Sequence, residues 1–524
     1  MKGNLHNDKI DAVIVGAGPA GCLYAAKLAG AGKNVLVLEQ GPARTTGDLI
    51  SSHFWGRRLK WRGAPVLSEG KHPFPHNFSC GDGFGGSALH HFGTWPRFRE
   101  DTFKQRTLYG EGLDWPIEYA DLRPYYDTIQ TEVGIAGDAK QEIWRAPGAP
   151  YPMLPHPRLE HGRILASGFE KLGKVVAPLP VIINSIEYKG RPACEYKGWC
   201  GVGCPLGALG NPLFTHFLDA RKAGAEFRSD CTVTRILSSN KKKVSGVEYI
   251  EDGQTRIQHA SIVIVAASFI QTPRLLLNSV SSFHPKGLAN LSGMVGRHIA
   301  PDILTPVYGL FDQETECHVG PCAGQLMHRG VYDDPARSDV RGDIQWQIAP
   351  SMKPNDLLGV ANTRVDLFGK PLTAFMSEAS HRIGFMAGFG GVQPWEGNRI
   401  ETASDKDAFG MPLARVIHSY PERALRMNEY LILEGKAVMK AAGAKEVWTV
   451  PPTGSHFIGG TIMGKDPKTS VANSFGRTHD LRNLVLAGAG LFPAGSGFSP
   501  TFTIYAVALR SAQDIIVNWR EYAV

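Results

Sequence analysis

At 524 residues, with 43% hydrophobic and 20% charged side chains, the chain can bury a sizeable core in two domains, and its composition excludes a disordered or fibrous polymer. The net charge of +7 is modest at this length: it suits an acidic partner or anionic surface, but no lysine and arginine block marks a nucleic-acid binder, and Lys241-Lys242-Lys243 reads as a solvated hairpin tip. Eight cysteines are too few for a disulfide scaffold, no apolar run approaches membrane-spanning length, and the polar stretch Met1 to Lys9 leads into the first strand without room for a signal peptide.

Val13, Ile14 and Val15 form a short β-branched run suited to a buried strand, and a helical pattern over 19–31 follows a glycine turn. Gly16 permits the tight turn, Gly18 lets backbone N–H groups approach a pyrophosphate, and Gly21 allows close helix–strand packing, with the phosphates on the helix's positive end. A second strand over 34–38 delivers Glu39, whose carboxylate suits a ribose 2′-OH and repels a 2′-phosphate. Strand, turn, helix, strand and acid in that order read as a dinucleotide site, where a bare glycine triplet would not.

From Glu39 to Arg99 the periodicity gives way to glycine, proline, histidine and tryptophan, the composition of a loop over a ligand. Within it Gly83, Gly85, Gly86, Ser87 and His90 would let backbone pass within contact of a flat cofactor ring, though a flexible turn has the same composition. Helices are expected over 115–134 and 159–172. Next comes Cys194-Glu-Tyr-Lys-Gly-Trp-Cys200-Gly-Val-Gly-Cys204-Pro205, whose closely spaced thiolates suit an iron–sulfur cluster. Three buried thiols, or a zinc site lacking its usual fourth ligand, fit the same spacing.

Strands over 232–237, 244–249 and 262–266, then a helix over 268–278, look like a return to the first domain. The stretch 304–415 is richer in alternating patterns and turns and predicts an antiparallel sheet in a second domain. Trp346, Trp395 and Phe368 there could stack a pyranose ring or belong to the core. A helix over 422–442, a strand over 484–488 and a helix over 501–518 close the chain.

Gly16-Ala-Gly-Pro-Ala-Gly21 with Glu39, the Gly83-Phe-Gly-Gly-Ser loop, Ile262-Val-Ile-Val-Ala-Ala-Ser-Phe-Ile-Gln-Thr-Pro-Arg and His456-Phe-Ile-Gly-Gly-Thr-Ile-Met-Gly464 together resemble the glucose–methanol–choline (GMC) oxidoreductases over nearly the whole chain. Asp466-Pro-Lys-Thr-Ser-Val and Arg477-Thr-His-Asp-Leu narrow the match to the large flavin subunits of bacterial fructose, sorbitol, gluconate and glucose or glucoside dehydrogenases. The resemblance implies an α/β fold with a Rossmann-like FAD-binding domain (1–110, 195–303 and 450–524) and a discontinuous substrate domain on an antiparallel sheet (111–194 and 304–449). It implies FAD, a [3Fe–4S] cluster on Cys194, Cys200 and Cys204, and backbone contacts to flavin from Gly488, Ala489, Pro500 and Thr501.

By the same resemblance His456 is the catalytic base that takes a hydroxyl proton as hydride leaves for the flavin. The family's second catalytic histidine or asparagine is replaced here by Ser499, a shorter side chain without an amide's simultaneous donor and acceptor. His90 lies where some relatives attach the flavin covalently, but its neighbours Leu89 and His91 argue against a bond. The expected activity is dehydrogenation of a sugar, glycoside, polyol or sugar acid, with electrons passing through the cluster to a cytochrome or quinone. The alternatives are an oxygen-using sugar oxidase of the pyranose-oxidase type and a non-catalytic flavin and iron–sulfur relay. Expected partners are a small signal-bearing subunit and a cytochrome c subunit, which would carry the chain to the periplasm or membrane; without them it would stay in the cytoplasm.

Overall fold

The four residues Ala12–Val15 lie at the middle of a five-stranded parallel sheet, in the order Leu484–Leu486, Ile262–Val265, Ala12–Val15, Val35–Leu38, Glu226–Arg228. The structure is a computed structural model that describes residues 10–60, 62–74, 80–110, 112–330, 343–353, 356–497 and 499–523; the stretch Met1 to Lys9 drawn on above lies outside them. The inner strands are buried along their whole length, which is why they read as unbroken apolar runs. Glu226–Arg228 buries only Phe227, as an edge strand can, and so left no apolar run to find.

Helix Pro19–Gly30 packs against Ala12–Val15 and Val35–Leu38 and between helices His216–Lys222 and Thr501–Val517. A methyl group at Gly21 would run into the Gly16 carbonyl oxygen, so only glycine lets this helix lie so close to the turn. Glu132, in helix Tyr119–Val133, ties three helices together by accepting from Lys27 (2.6 Å) and His216 (3.2 Å).

A second sheet is antiparallel. Its order is Glu446–Thr449, Ala300–Leu310, Ile383–Gly390, Ile344–Ile348, Leu326–Gly330, Ala177–Pro178, and Thr453–Ile458 also pairs with Ala300–Leu310. Strand alternation gives this sheet two different faces. Ile303, Val307, Trp346 and Met386 pack under helices Glu422–Ala441 and Glu160–Lys171. Asp302, Arg329, Gln345, Gln347 and Phe389 occupy the alternate positions and so the other face. Trp346 is therefore core, with its indole N–H donating to Glu434 at 2.6 Å, whereas Trp395 and Phe368 are exposed.

The strands expected over 232–249 form a meander of their own, Thr232–Asn240, Lys243–Glu251 and Gln254–His259, stitched to the parallel sheet by the Asn483 side chain, which exchanges hydrogen bonds with the Val244 backbone. Arg399–Lys406, Pro412–Ile417 and Leu67–Glu69 make a third small sheet. Helix Gly369–Arg382 stands where alternation suggested strand; its buried Phe375 and Ala379 are spaced one helical turn apart. Among the described residues no helix is long and apolar enough to cross a membrane.

Burial opposes ionisation of Glu132, but hydrogen bonds from His216 and Lys27 outweigh it and hold the carboxyl down to about 2, below its unfolded value. The resulting stabilisation is fully present above the unfolded value and is lost as pH falls toward 2. Glu132→Gln is expected to lower unfolding free energy by about 1–3 kcal/mol at pH 7 and by less than half as much near pH ~3, measured by urea titration. Gly21→Ala is expected to cost about 3 kcal/mol and to reduce FAD retention, read as a lower Tm and a lower flavin-to-protein ratio.

Candidate active site

The turn after Ala12–Val15 meets two other loops on one carboxylate. Glu39 is buried and accepts backbone N–H bonds from Ala17 (2.8 Å), Gly41 (2.9 Å) and Gly83 (3.1 Å). Burial raises its pKa and the N–H donors oppose the rise. A carboxylate has about four acceptor positions, so one is left for a ribose hydroxyl. Gly85 donates its N–H to the Ala17 carbonyl at 2.9 Å, and a Cβ on Gly86 would stand 3.0 Å from the Gly18 Cα, so the 83–87 loop crosses directly over the glycine turn. The Ser87 hydroxyl accepts from the Gly81 N–H at 3.0 Å and fixes the loop's base.

Two features fit this cradle to a dinucleotide. Gly18, at the helix N-cap, and Gly488, at φ +95°, each have open space where a Cβ would stand. Helix Pro19–Gly30 has neither a capping side chain nor an acidic residue in its first turn, so its terminal N–H groups and positive dipole end are free for phosphate. Helix Thr501–Val517, with Pro500 at its N-cap, is uncapped and free of first-turn acids in the same way. Ala489, after strand Leu484–Leu486, accepts from the Gly459 N–H at 3.1 Å and so fastens the end of the parallel sheet to the segment that follows His456.

His90 lies between Lys60, which donates to its Nδ1 at 3.0 Å, and Gly81, where a Cβ would stand 2.8 Å from its Nε2. Burial, then the Lys60 charge, pushes its pKa down to about 3, so the imidazole is neutral. Trp95 stacks on Phe502, and Arg97 is locked to Asp127 and Gln130 at 2.5 and 2.7 Å.

His456 sits near the end of Thr453–Ile458 with φ +47°, a left-handed conformation that a β-strand residue seldom adopts. Its Nδ1 is 2.5 Å from the Asp302 carboxylate, whose other oxygen accepts from the Ser455 backbone N–H (3.0 Å) and hydroxyl (2.9 Å). A carboxylate can only accept, so Nδ1 donates to it, and in the neutral ring Nε2 carries the lone pair. The ring stacks on Phe389 at 5.2 Å. Ser499 is buried, and its hydroxyl lies 3.4 Å from that of Thr501. A Cβ on Gly497 would stand 2.7 Å from the Phe389 carbonyl oxygen, so Gly497 and His456 both abut Phe389.

Asp302 escaped sequence reasoning because nothing near it in the chain marks a base's orienting partner; only its pairing opposite Ser455 does so.

The cysteine loop is also drawn together. Backbone N–H groups of Tyr196, Cys322 and Leu209 point at the sulfurs of Cys194, Cys200 and Cys204 at 3.3, 3.4 and 3.5 Å, the kind of bond that stabilises a thiolate. Cys322, far along the chain, is a fourth sulfur missed by spacing. The hydrogen bond it shares with Cys200 holds its thiol down to about 7 and pushes that of Cys200 up. All eight cysteines are free thiols, and among the described residues no three His, Cys, Asp or Glu side chains are gathered to hold a single metal ion. The loop lies against the 86–92 segment: a Cβ on Gly203 would stand 2.8 Å from the Leu89 carbonyl oxygen, and one on Gly201 would stand 3.2 Å from the Phe92 ring.

A Rossmann-like nucleotide cradle facing an antiparallel sheet, with a carboxylate-held histidine at their junction, defines an FAD-binding oxidoreductase that acts on CH–OH groups. The chain belongs to the GMC oxidoreductase family: that family's amino- and carboxy-terminal profiles match residues 163–299 and 394–508, and a Rossmann-like NAD(P)-binding domain profile matches 14–74. It is 32% identical to 2-methyl-1,2-propanediol dehydrogenase of Mycolicibacterium austroafricanum, over 97% of this chain and 95% of that one. It is 28% identical to the fructose dehydrogenase large subunit of Gluconobacter japonicus, over 97% and 98%. Among solved structures, an FAD-dependent oxidoreductase from Chaetomium thermophilum shares the fold, with TM-score 0.68 at 14% identity over 98% of this chain and all of that one.

Asp302→Asn is expected to keep the side chain's shape but lose the acceptor that fixes the His456 tautomer. Substrate-driven flavin reduction should slow by about 10² or more while FAD content stays at the wild-type level, measured by anaerobic stopped-flow absorbance.

Proposed function

We propose that this chain is the catalytic subunit of an FAD-dependent dehydrogenase that oxidises a hydroxyl of a sugar, glycoside, polyol or sugar acid to a carbonyl, with electrons leaving through an iron–sulfur cluster to a cytochrome or quinone. The observation that carries the chemistry is the pair Asp302 and His456: a histidine with its proton fixed on Nδ1 presents a free Nε2 as a general base. In this reading His456 Nε2 takes the hydroxyl proton, Asp302 stabilises the charge that results, and the Ser499 hydroxyl hydrogen-bonds the substrate oxygen. FAD, when bound, supplies the hydride acceptor. Glu39, the glycines at 16, 18, 21, 85, 86 and 488, Ser87, Ala489 and the two uncapped helix ends would hold it.

The polyhydroxylated substrate is supported by the sheet face beside Phe389. Gln345 and Gln347 project from it, and the buried Gln345 Oε1 and Ser496 Oγ have no partner among the described residues, as expected of groups that pair with substrate hydroxyls. The relatives' names bracket the class, from a branched propanediol to fructose. A cluster, when bound at Cys194, Cys200 and Cys204, would supply single-electron transfer, which suits a cytochrome or quinone better than oxygen. The fructose relative is named as a large subunit, which supports assembly with a small signal-bearing subunit and a cytochrome, and a periplasmic or membrane-associated location through them. The same reading divides the chain into an FAD-binding domain (1–110, 195–303 and 450–524) and a substrate domain (111–194 and 304–449).

The test is anaerobic bleaching of the flavin by a panel of 1,2-diols, sugars, glycosides, polyols and aldonic acids. A dehydrogenase bleaches rapidly with one class, reoxidises slowly in air and reoxidises quickly with a one-electron acceptor. Rapid peroxide formation would make it an oxidase, and no bleaching by any class with FAD and iron both present would leave only a relay. His456→Ala should retain FAD and reduce it about 10²- to 10⁴-fold more slowly; a wild-type rate would remove His456 from this role.

A further inference from the structure

We infer that Cys322 is a fourth thiolate ligand at the Cys194, Cys200 and Cys204 loop, so that the site is built for a four-iron cubane and not for the three-iron cluster that three cysteines imply. The inference rests on the cluster reading above and concerns the number of irons held.

The geometry is that of a segment docked onto the loop from outside. Gly320 donates its N–H to the Tyr196 carbonyl at 2.8 Å and pairs with Lys197 in a short parallel bridge, which brings the chain ahead of strand Leu326–Gly330 alongside the cysteine loop. Two residues on, the Cys322 N–H points at the Cys200 sulfur at 3.4 Å, and the Cys322 thiol reaches the Gly198 carbonyl at 3.2 Å, inside the loop's own span. The Ser351 hydroxyl backs the same sulfur at 3.6 Å, and the Ser351 N–H bonds the Pro321 carbonyl at 3.1 Å, so the segment is held from the opposite side as well. The thiols of Cys22 and Cys231 bond elsewhere in the fold, to the Ala17 and Ser229 carbonyls.

The chemistry of the donor set follows. A cubane of four irons and four sulfides has four iron corners, each needing one protein ligand, and is held by four thiolates; a three-iron cluster has one corner fewer. Binding releases each thiol proton as an iron–sulfur bond forms. Four thiolates on a dication leave net negative charge, and two cations stand beside them. Lys353 lies 5.1 Å over the ring of Trp199, the residue before Cys200, and Arg191 donates to the Ala208 carbonyl four residues past Cys204. Cys322 is separated from the motif by a long stretch of chain that includes the Rossmann strand Ile262–Val265, so only the fold reveals it.

The full chain with its FAD is reconstituted anaerobically with ferric and ferrous iron and sulfide, and iron, acid-labile sulfide and flavin are counted alongside electron paramagnetic resonance. The wild type is expected to hold about four irons and four sulfides per FAD, silent when oxidised and paramagnetic after reduction by dithionite. Cys322→Ala is expected to hold about three irons, paramagnetic already in the oxidised state, at unchanged FAD content. A wild type with about three irons and a signal in the oxidised state overturns the role of Cys322 and leaves the cluster reading intact. A Cys200 to Cys322 disulfide in peptide maps of the iron-loaded protein overturns it equally. A wild type that retains no iron overturns the cluster reading and this inference together. If the variant fails to fold, the wild-type count and spectrum still decide.

Discussion

The buried Glu39 carboxylate is the constraint from which the nucleotide half of the site follows. Three loops that have no reason of their own to meet, those after Ala12–Val15, after Val35–Leu38 and at Gly83, each give it one N–H. Each N–H would otherwise be an unsatisfied donor in a region closed to water, at a cost of about 1–3 kcal/mol apiece. Once they are gathered, the 83–87 loop has to cross the glycine turn at Gly18, and the uncapped helix end comes to face the space between them. The same carboxylate that organises the protein backbone is thus the one proposed to meet the ribose.

The hydride-transfer half is organised by strand alternation. Along Ala300–Leu310 the odd positions Ile303, Thr305 and Val307 serve the core under helix Glu422–Ala441, and Asp302, one residue away, faces His456. The same division runs through Ile344–Ile348, where Trp346 packs inward and its neighbours Gln345 and Gln347 face the other way. One sheet therefore supplies a dry core on one side and polar groups on the other.

What could be read in advance tracks how local the determinant is. The strands at 12–15 and 262–265 and helix Ser268–Asn278 are marked by their own apolar runs and periods, and they fold where those patterns say. Glu226–Arg228 needs one buried side chain and borrows the rest of its order from Val35–Leu38, so its sequence carries almost no strand signal. Whether Trp346 faces sugar or core depends on register, and a shift of one residue would reverse it. The glycine cradle, Glu39, His456 and the three closely spaced cysteines stand out as motifs. Asp302 and Cys322 do not, because each acquires its neighbours only when Ala300–Leu310 meets Thr453–Ile458 and when the 320–322 segment meets the cysteine loop.

The positive φ of His456 has a consequence for how this protein can change. Glycine would relieve the conformation but would remove the imidazole, so a strain of about 1–3 kcal/mol is retained in the fold, at the bulge between the Asp302–Ser455 and Ala300–Ile458 pairs and under the grip of Asp302. The two strands that hold it are therefore poor places for drift: loosening either one lets residue 456 relax into an ordinary strand geometry and swings the ring off Phe389. Under the function proposed above, substrate range is freer to diversify along Ile344–Ile348, where the outward glutamines can be exchanged without disturbing the backbone at the histidine.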